Sequence, residues 1–179
     1  SVYINLRHFL ICVSILLIAI LPFIFNLLIK NAYREAYNYI PIMVMNVYFS
    51  NLSNFSSGIF SAYKDTKILA TTTIVAALIN FLVGFIFIKK IGLYATILAT
   101  LISYIVIFIY RNYKLKKYIK LDKDKYLIPS FLVLIIVSIS YYLRNYLICF
   151  LTLVIAFIYS YYLNKGLINT IVLKFKRKR

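Results

Sequence analysis

For most of its length this sequence alternates runs of about twenty apolar residues with short polar breaks, and few folds are open to such a chain. A helix rises ~1.5 Å per residue, so a run of that length matches the ~30 Å hydrocarbon core of a bilayer. Six spans are predicted: about Phe9–Ile29, Pro41–Asp65, about Ile68–Ile88, Gly92–Tyr110, about Tyr126–Leu143 and Tyr146–Leu163. The expected fold class is therefore all-α, a polytopic transmembrane helix bundle. Composition agrees. Hydrophobic residues make up 64% of the chain and charged ones 14%, whereas a soluble domain carries about a quarter charged residues.

The charge is one-sided: 21 Lys and Arg against 4 Asp and Glu. Because the cations stand between the apolar runs and at the C-terminus, they fit topology determinants rather than a nucleic-acid surface. With six spans, sixteen cations fall on one side and five on the other. The positive-inside rule then puts both termini in the cytoplasm. Tyr37, Tyr39, Tyr63, Tyr110, Tyr126 and Tyr146 stand near predicted span ends, where a ring with a polar tip belongs. The Ile, Asn, Lys and Tyr bias points to an AT-rich, bacterial coding sequence, and so to a cytoplasmic (inner) membrane.

Four stretches organise the chain: 1–110 holds four spans, 111–125 is a basic cytoplasmic loop, 126–163 is a final two-helix hairpin, and 164–179 is a basic C-terminal segment. Only Arg144 and Asn145 separate the last two spans, so a tight hairpin is expected. Past Asn164, the residues Leu167, Ile168, Ile171, Val172 and Phe175 share one helical face. That face suits either a short helix lying on the membrane surface or a frayed basic tail. Pro22 is expected to kink the first span, and Pro41 to occupy the first turn of the second.

The second span is the anomaly. Asn46, Ser50, Ser53, Asn54, Ser57 and Ser61 recur at steps of three and four, which gathers them on one side of a helix. An unpaired amide or hydroxyl facing lipid costs a few kcal/mol, so the stripe must face other helices or a wet cavity. Both readings stay open. Asn80 and Gly84 in the third span fit helix packing, as does the small-residue strip Gly92, Thr96, Ala99 and Ser103 in the fourth.

Catalysis finds little support. Glu35, Asp65, Asp122 and Asp124 all fall in predicted loops, and His8 has no partner visible in the sequence. No paired carboxylates, zinc spacing, nucleophile elbow or phosphate-cradling glycine loop is present. The expectation is no enzyme, no catalytic residue, no metal and no cofactor. Cys12 and Cys149 lie singly in apolar runs and read as small core residues.

The stretch Tyr33–Tyr104 resembles the C-terminal half of bacterial polysaccharide-unit flippases, members of the multidrug/oligosaccharidyl-lipid/polysaccharide exporter superfamily. Tyr33, Ala36, Ile40-Pro41, the Asn/Ser-rich span closing in Ala62-Tyr63-Lys64-Asp65-Thr66, Ala76-Ala77-Leu78-Ile79-Asn80, and Ile91-Gly92 through Ala95-Thr96, Ala99-Thr100 and Ser103-Tyr104 carry it. Gly84 stands where the family often has a second Asn, and Lys89 or Lys90 where it often has Pro.

The resemblance implies a two-lobed bundle with a central cavity opening alternately to each side, of which this chain supplies the C-terminal lobe. The substrate implied is an undecaprenyl-diphosphate-linked oligosaccharide, moved across the membrane for capsule, O-antigen or exopolysaccharide synthesis. Asn46, Ser50, Asn54, Ser57, Ser61 and Asn80 are then candidates to line the cavity, and Arg34 and Arg144 to meet the diphosphate. Partners would be membrane lipid, the lipid-linked oligosaccharide and a preceding N-terminal lobe, since rocking of repeats needs two. Competing readings are a multidrug or cation extruder of the same fold, and a scaffold or polymerase fragment of polysaccharide assembly. An extruder requires intramembrane acids, and none is predicted here.

Overall fold

The computed structural model describes residues 2–28, 31–119 and 124–176, with side chains for all of these except 26–28, 31–34 and 167–176. The described residues are almost all helical and contain no strand. Helix α1 spans Val2–Leu28, a 3-10 helix covers Asn31–Tyr39, and α2 to α6 span Ile40–Ala62, Thr66–Ile91, Leu93–Leu115, Leu127–Leu143 and Tyr146–Lys176.

Four segments are long and apolar enough to cross a membrane: Val2–Phe25, Thr66–Ile91, Leu93–Leu115 and Tyr146–Gly166. The other two expected spans are helices that fall short of that standard for different reasons. α5 is apolar but has only 17 residues, about 26 Å at the helical rise. α2 has 23 residues, enough to span, but its Asn and Ser side chains make it too polar.

Local chemistry explains the boundaries. Pro41 sits in the first turn of α2, where its missing N–H is harmless. At the other end the Asp65 N–H bonds the Phe60 carbonyl (2.9 Å) and the Lys64 N–H bonds that of Ser61 (3.0 Å). This is a Schellman closure with Lys64 in the left-handed position usually taken by glycine, at φ 58°. α3 and α4 meet at Gly92, whose φ of 55° and ψ of −132° suit glycine alone. Asn145 accepts the Leu147 N–H on its side chain (3.0 Å) and so caps α6.

Three boundaries differ from the sequence reading. α4 continues through Arg111–Leu115, so these residues are helical rather than part of a loop. α6 does not stop after Asn164 but runs unbroken to Lys176; the side chains of its expected surface face lie outside the described residues. The connection after α1 is wound as a nine-residue 3-10 helix.

The chain divides into two compact units, Ser1–Tyr37 with Asp122–Arg179, and Asn38–Leu121. Within the first unit α1 packs with α5 and α6. In this first unit Ile15, Ile18, Leu134, Val137, Tyr141 and Cys149 are almost fully buried. Ser140 and Thr152 share a hydrogen bond across the α5–α6 hairpin (2.9 Å), as do Ser130 and Tyr159 (2.7 Å). Both cysteines are buried and free, in keeping with core roles.

In the second unit α4 packs along both α2 and α3. All its buried residues except Ile97 (Ala95, Ala99, Ser103, Ile107, Arg111 and Leu115) fall every fourth position, a ridge of the kind that helix neighbours accept. α3 buries only Thr72 and Ala76 and shows large side chains such as Leu78, Phe81 and Phe85 to the outside. A helix apolar all round fits a lipid environment.

Candidate functional site

Arg111 is the most informative side chain of the Asn38–Leu121 unit. It stands one turn before the end of α4 on the buried ridge and is 5% exposed. Its Nε–H and one Nη2–H reach the Thr72 hydroxyl oxygen (3.0 and 2.9 Å). Nη1 donates to the Ser53 carbonyl (3.1 Å) and to the Ser57 hydroxyl, and Thr73 lies at the limit of reach (3.5 Å). Every one of these partners is neutral.

The hydroxyls are set up for this. Ser57 gives its own proton to the Ser53 carbonyl, Thr72 to that of Ile68, and Thr73 to that of Leu69. Their lone pairs are left facing the guanidinium, and the planar fork of arginine collects them from two helices at once.

This divides the predicted stripe of α2. On its inward side the Ser57 hydroxyl and the backbone carbonyl of Ser53 hold Arg111, and the Asn46 amide donates to the Ile97 carbonyl of α4 (3.2 Å). Ser50 is half-buried, whereas Asn54 and Ser61 are exposed. Apart from Ala62 at its end, the exposed residues of α2 run Met43, Val47, Asn51, Asn54, Gly58 and Ser61, a continuous strip that is apolar near Pro41 and polar near Lys64. In α3, Asn80 donates to the Thr100 hydroxyl of α4 (3.1 Å), and Gly84 lies against Ala99. Asn80 is therefore occupied by helix pairing.

Beyond α4, the Tyr118 hydroxyl donates to the Asp65 carboxylate and its ring meets those of Phe60 and Tyr63. The bond to Asp65, then burial and the carboxylate's charge, push the Tyr118 phenol above its ordinary pKa.

The other unit has a charged cluster of its own. Asp124 is paired with Arg7, and its two oxygens lie 3.1 and 3.0 Å from Nε2 of His8. The Tyr126 N–H adds a fourth contact (2.9 Å). Burial raises the Asp124 pKa, but the bonds from His8 and Tyr126 and the charges of His8 and Arg7 outweigh it, leaving the carboxyl below its ordinary value. His8 therefore has a partner, 116 positions away in sequence. Of the two diphosphate candidates, Arg144 places its guanidinium 5.3 Å from the centre of the Tyr37 ring, and the Arg34 side chain lies outside the described residues.

Sequence reasoning missed Arg111 because it counted the cation toward a loop. The signal was present in the four-residue step from Ala95 to Leu115, which carries the buried ridge through position 111. For His8 and Asp124 no local signal exists.

Among the described residues no three His, Cys, Asp or Glu side chains gather in a way that could hold a metal ion. What fold and site define, among the described residues, is an all-helical chain with four helices long and apolar enough to cross a membrane, one buried cation and one polar helix strip. No protein-family model, curated protein or solved structure matches the chain.

Proposed function

We propose that this chain is one lobe of a flippase that moves undecaprenyl-diphosphate-linked oligosaccharide units across the bacterial cytoplasmic membrane. One observation carries the reading: the outward strip of α2, with Asn51, Asn54, Gly58 and Ser61 exposed on a helix long enough to span a bilayer. Neutral amides and hydroxyls are costly against lipid, and they are suited to bonding the hydroxyls of a sugar. In the expected orientation, with the Lys64 end cytoplasmic, this strip faces the side from which the substrate is loaded.

The placement of the acids argues against an extruder. Glu35 lies in the 3-10 helix Asn31–Tyr39, and Asp65 and Asp124 lie between helices, so none of the described α-helices offers an acid to hold a cation or proton.

The test is polysaccharide display in cells that depend on this protein. With Asn54→Leu and Ser61→Leu, display should fall and lipid-linked units accumulate inside, at unchanged protein level in the membrane. Normal display in both variants overturns the reading. Single cysteines at positions 54 and 61 should also react with a charged, membrane-impermeant thiol reagent applied to inside-out vesicles.

A further inference from the structure

Between α3 and α4 lies an open cleft of about 160 Å³, lined by Thr71, Thr72 and Val75 on one side and Val106, Ile107 and Tyr110 on the other. Its walls are mainly apolar, but one end is electrically different. Thr72, which lines the cleft, is also the double acceptor of the Arg111 guanidinium. One turn beyond Tyr110 on α4 stands Lys114, its ammonium 5.7 Å from the centre of that ring. One turn beyond Thr71 on α3 stands Lys67, whose carbonyl accepts the Thr71 hydroxyl (2.9 Å).

Because α3 and α4 turn back on each other at Gly92, these three cations belong to the same end of the hairpin. The acid-free set of Arg111 partners leaves a positive charge within the cleft wall. The acid at that end, Asp65, accepts the Tyr118 hydroxyl, and a mainly apolar slot beside an end of the hairpin that carries three cations matches one class of molecule: an amphiphile with a hydrocarbon chain and a negative head. Lysines near a bilayer surface also extend their ammonium groups toward the headgroup layer.

We propose that the α3–α4 cleft binds one anionic phospholipid of the surrounding leaflet, an acyl chain lying along Val75, Val106 and Ile107 and the phosphate meeting Lys67 and Lys114. Arg111 acts from behind Thr72 through its field rather than by direct contact, because its N–H groups are occupied. The site is separate from the α2 strip and does not depend on the transport reading.

Native mass spectrometry of the full chain in neutral detergent tests this. The protein is offered equal amounts of dioleoylphosphatidylglycerol and dioleoylphosphatidylcholine. One phosphatidylglycerol should be retained several-fold over phosphatidylcholine. Val75→Trp fills the cleft from a position that is 48% exposed and should abolish the preference, as should Lys67→Gln combined with Lys114→Gln. Lys89→Gln with Lys90→Gln, at the opposite end of the hairpin, should leave it unchanged. Equal retention of the two lipids by the unaltered chain overturns the proposal. So does a preference that survives the Lys67 and Lys114 changes, which also decide the matter should Val75→Trp fail to fold.

Discussion

Among the described residues Arg111 has only neutral hydrogen-bond partners, and that decides how its replacements behave. Bringing an ion out of water costs several kcal/mol even after relaxation, while hydrogen bonds to a charged group return ~1.5–3 kcal/mol each. Four close contacts to neutral oxygens therefore hold the side chain near balance. Lysine keeps the cost of burial but has no planar fork with which to reach Ser53, Ser57 and Thr72 together. Arg111→Lys should lower stability by about 2–4 kcal/mol, read as a drop in thermal midpoint in detergent. Arg111→Met removes the cost along with the bonds. Ser57 and Thr72 keep the bonds to their own helices, so no donor is stranded, and the midpoint should change by less than about 1 kcal/mol. A methionine variant that is less stable than the lysine variant would show that the charge itself holds α2, α3 and α4 together. The residue was misread in the sequence because a cation after an apolar run normally marks its end. Burial is settled by the helices opposite, and the sequence hints at it only through the four-residue step from Ala95 to Leu115, not through the residue itself.

Element ends differ in how far they could be read. The turn at Pro41 and the α5–α6 reversal at Arg144-Asn145 were legible because proline and asparagine act through their own local chemistry. The end of α6 was not. Gly166 after Lys165 reads as a break, but a helical glycine costs only ~1 kcal/mol relative to alanine, and the helix passes through it. The stripe of α2 was visible as a period and not as a division of labour. Whether Ser53 faces a guanidinium or Asn54 faces outward depends on where α4 lies. Backbone conformation separates the glycines further. At Gly92, φ is 55° and ψ is −132°, so Gly92→Ala should destabilise the α3–α4 hairpin by about 1–3 kcal/mol, seen as earlier thermal unfolding. Gly58 is helical, with nothing within 4 Å of an added Cβ, so Gly58→Ala should instead add about 0.5–1 kcal/mol. Equal effects at the two sites would contradict the turn geometry at Gly92.

Taken whole, the molecule returns α1 to the last two helices, and the joints that do this are polar and distant in sequence. Tyr37 stacks on Tyr141 with ring centres 4.1 Å apart, and the Tyr141 hydroxyl donates to the Tyr37 carbonyl (2.8 Å). Arg7 and His8 meet Asp124 near the start of α5. Periodicity and hydropathy describe one helix at a time, so six helices could be counted without revealing which ones pair. The Asp124 joint also gives the first unit a pH dependence with a definite sign. Its carboxyl sits below its ordinary pKa in the folded chain, so the unfolded chain binds a proton more readily. The joint's contribution is then fully present above the ordinary carboxylate value and is lost as pH falls through the depressed folded value. The Asp124 side chain is 3% exposed and those of Arg7 and His8 are 13% exposed, so removing the charge leaves both partners with limited access to water. Asp124→Asn should lower stability by about 3 kcal/mol at neutral pH, the low end for breaking a buried pair. The difference between the two proteins should shrink as the pH is lowered into the acid range, since protonation removes the same charge from the unaltered chain. Thermal midpoints of both proteins, measured in one detergent from neutral to acid pH, check this. A constant gap across the range would mean that Asp124 acts through its shape and hydrogen bonds alone.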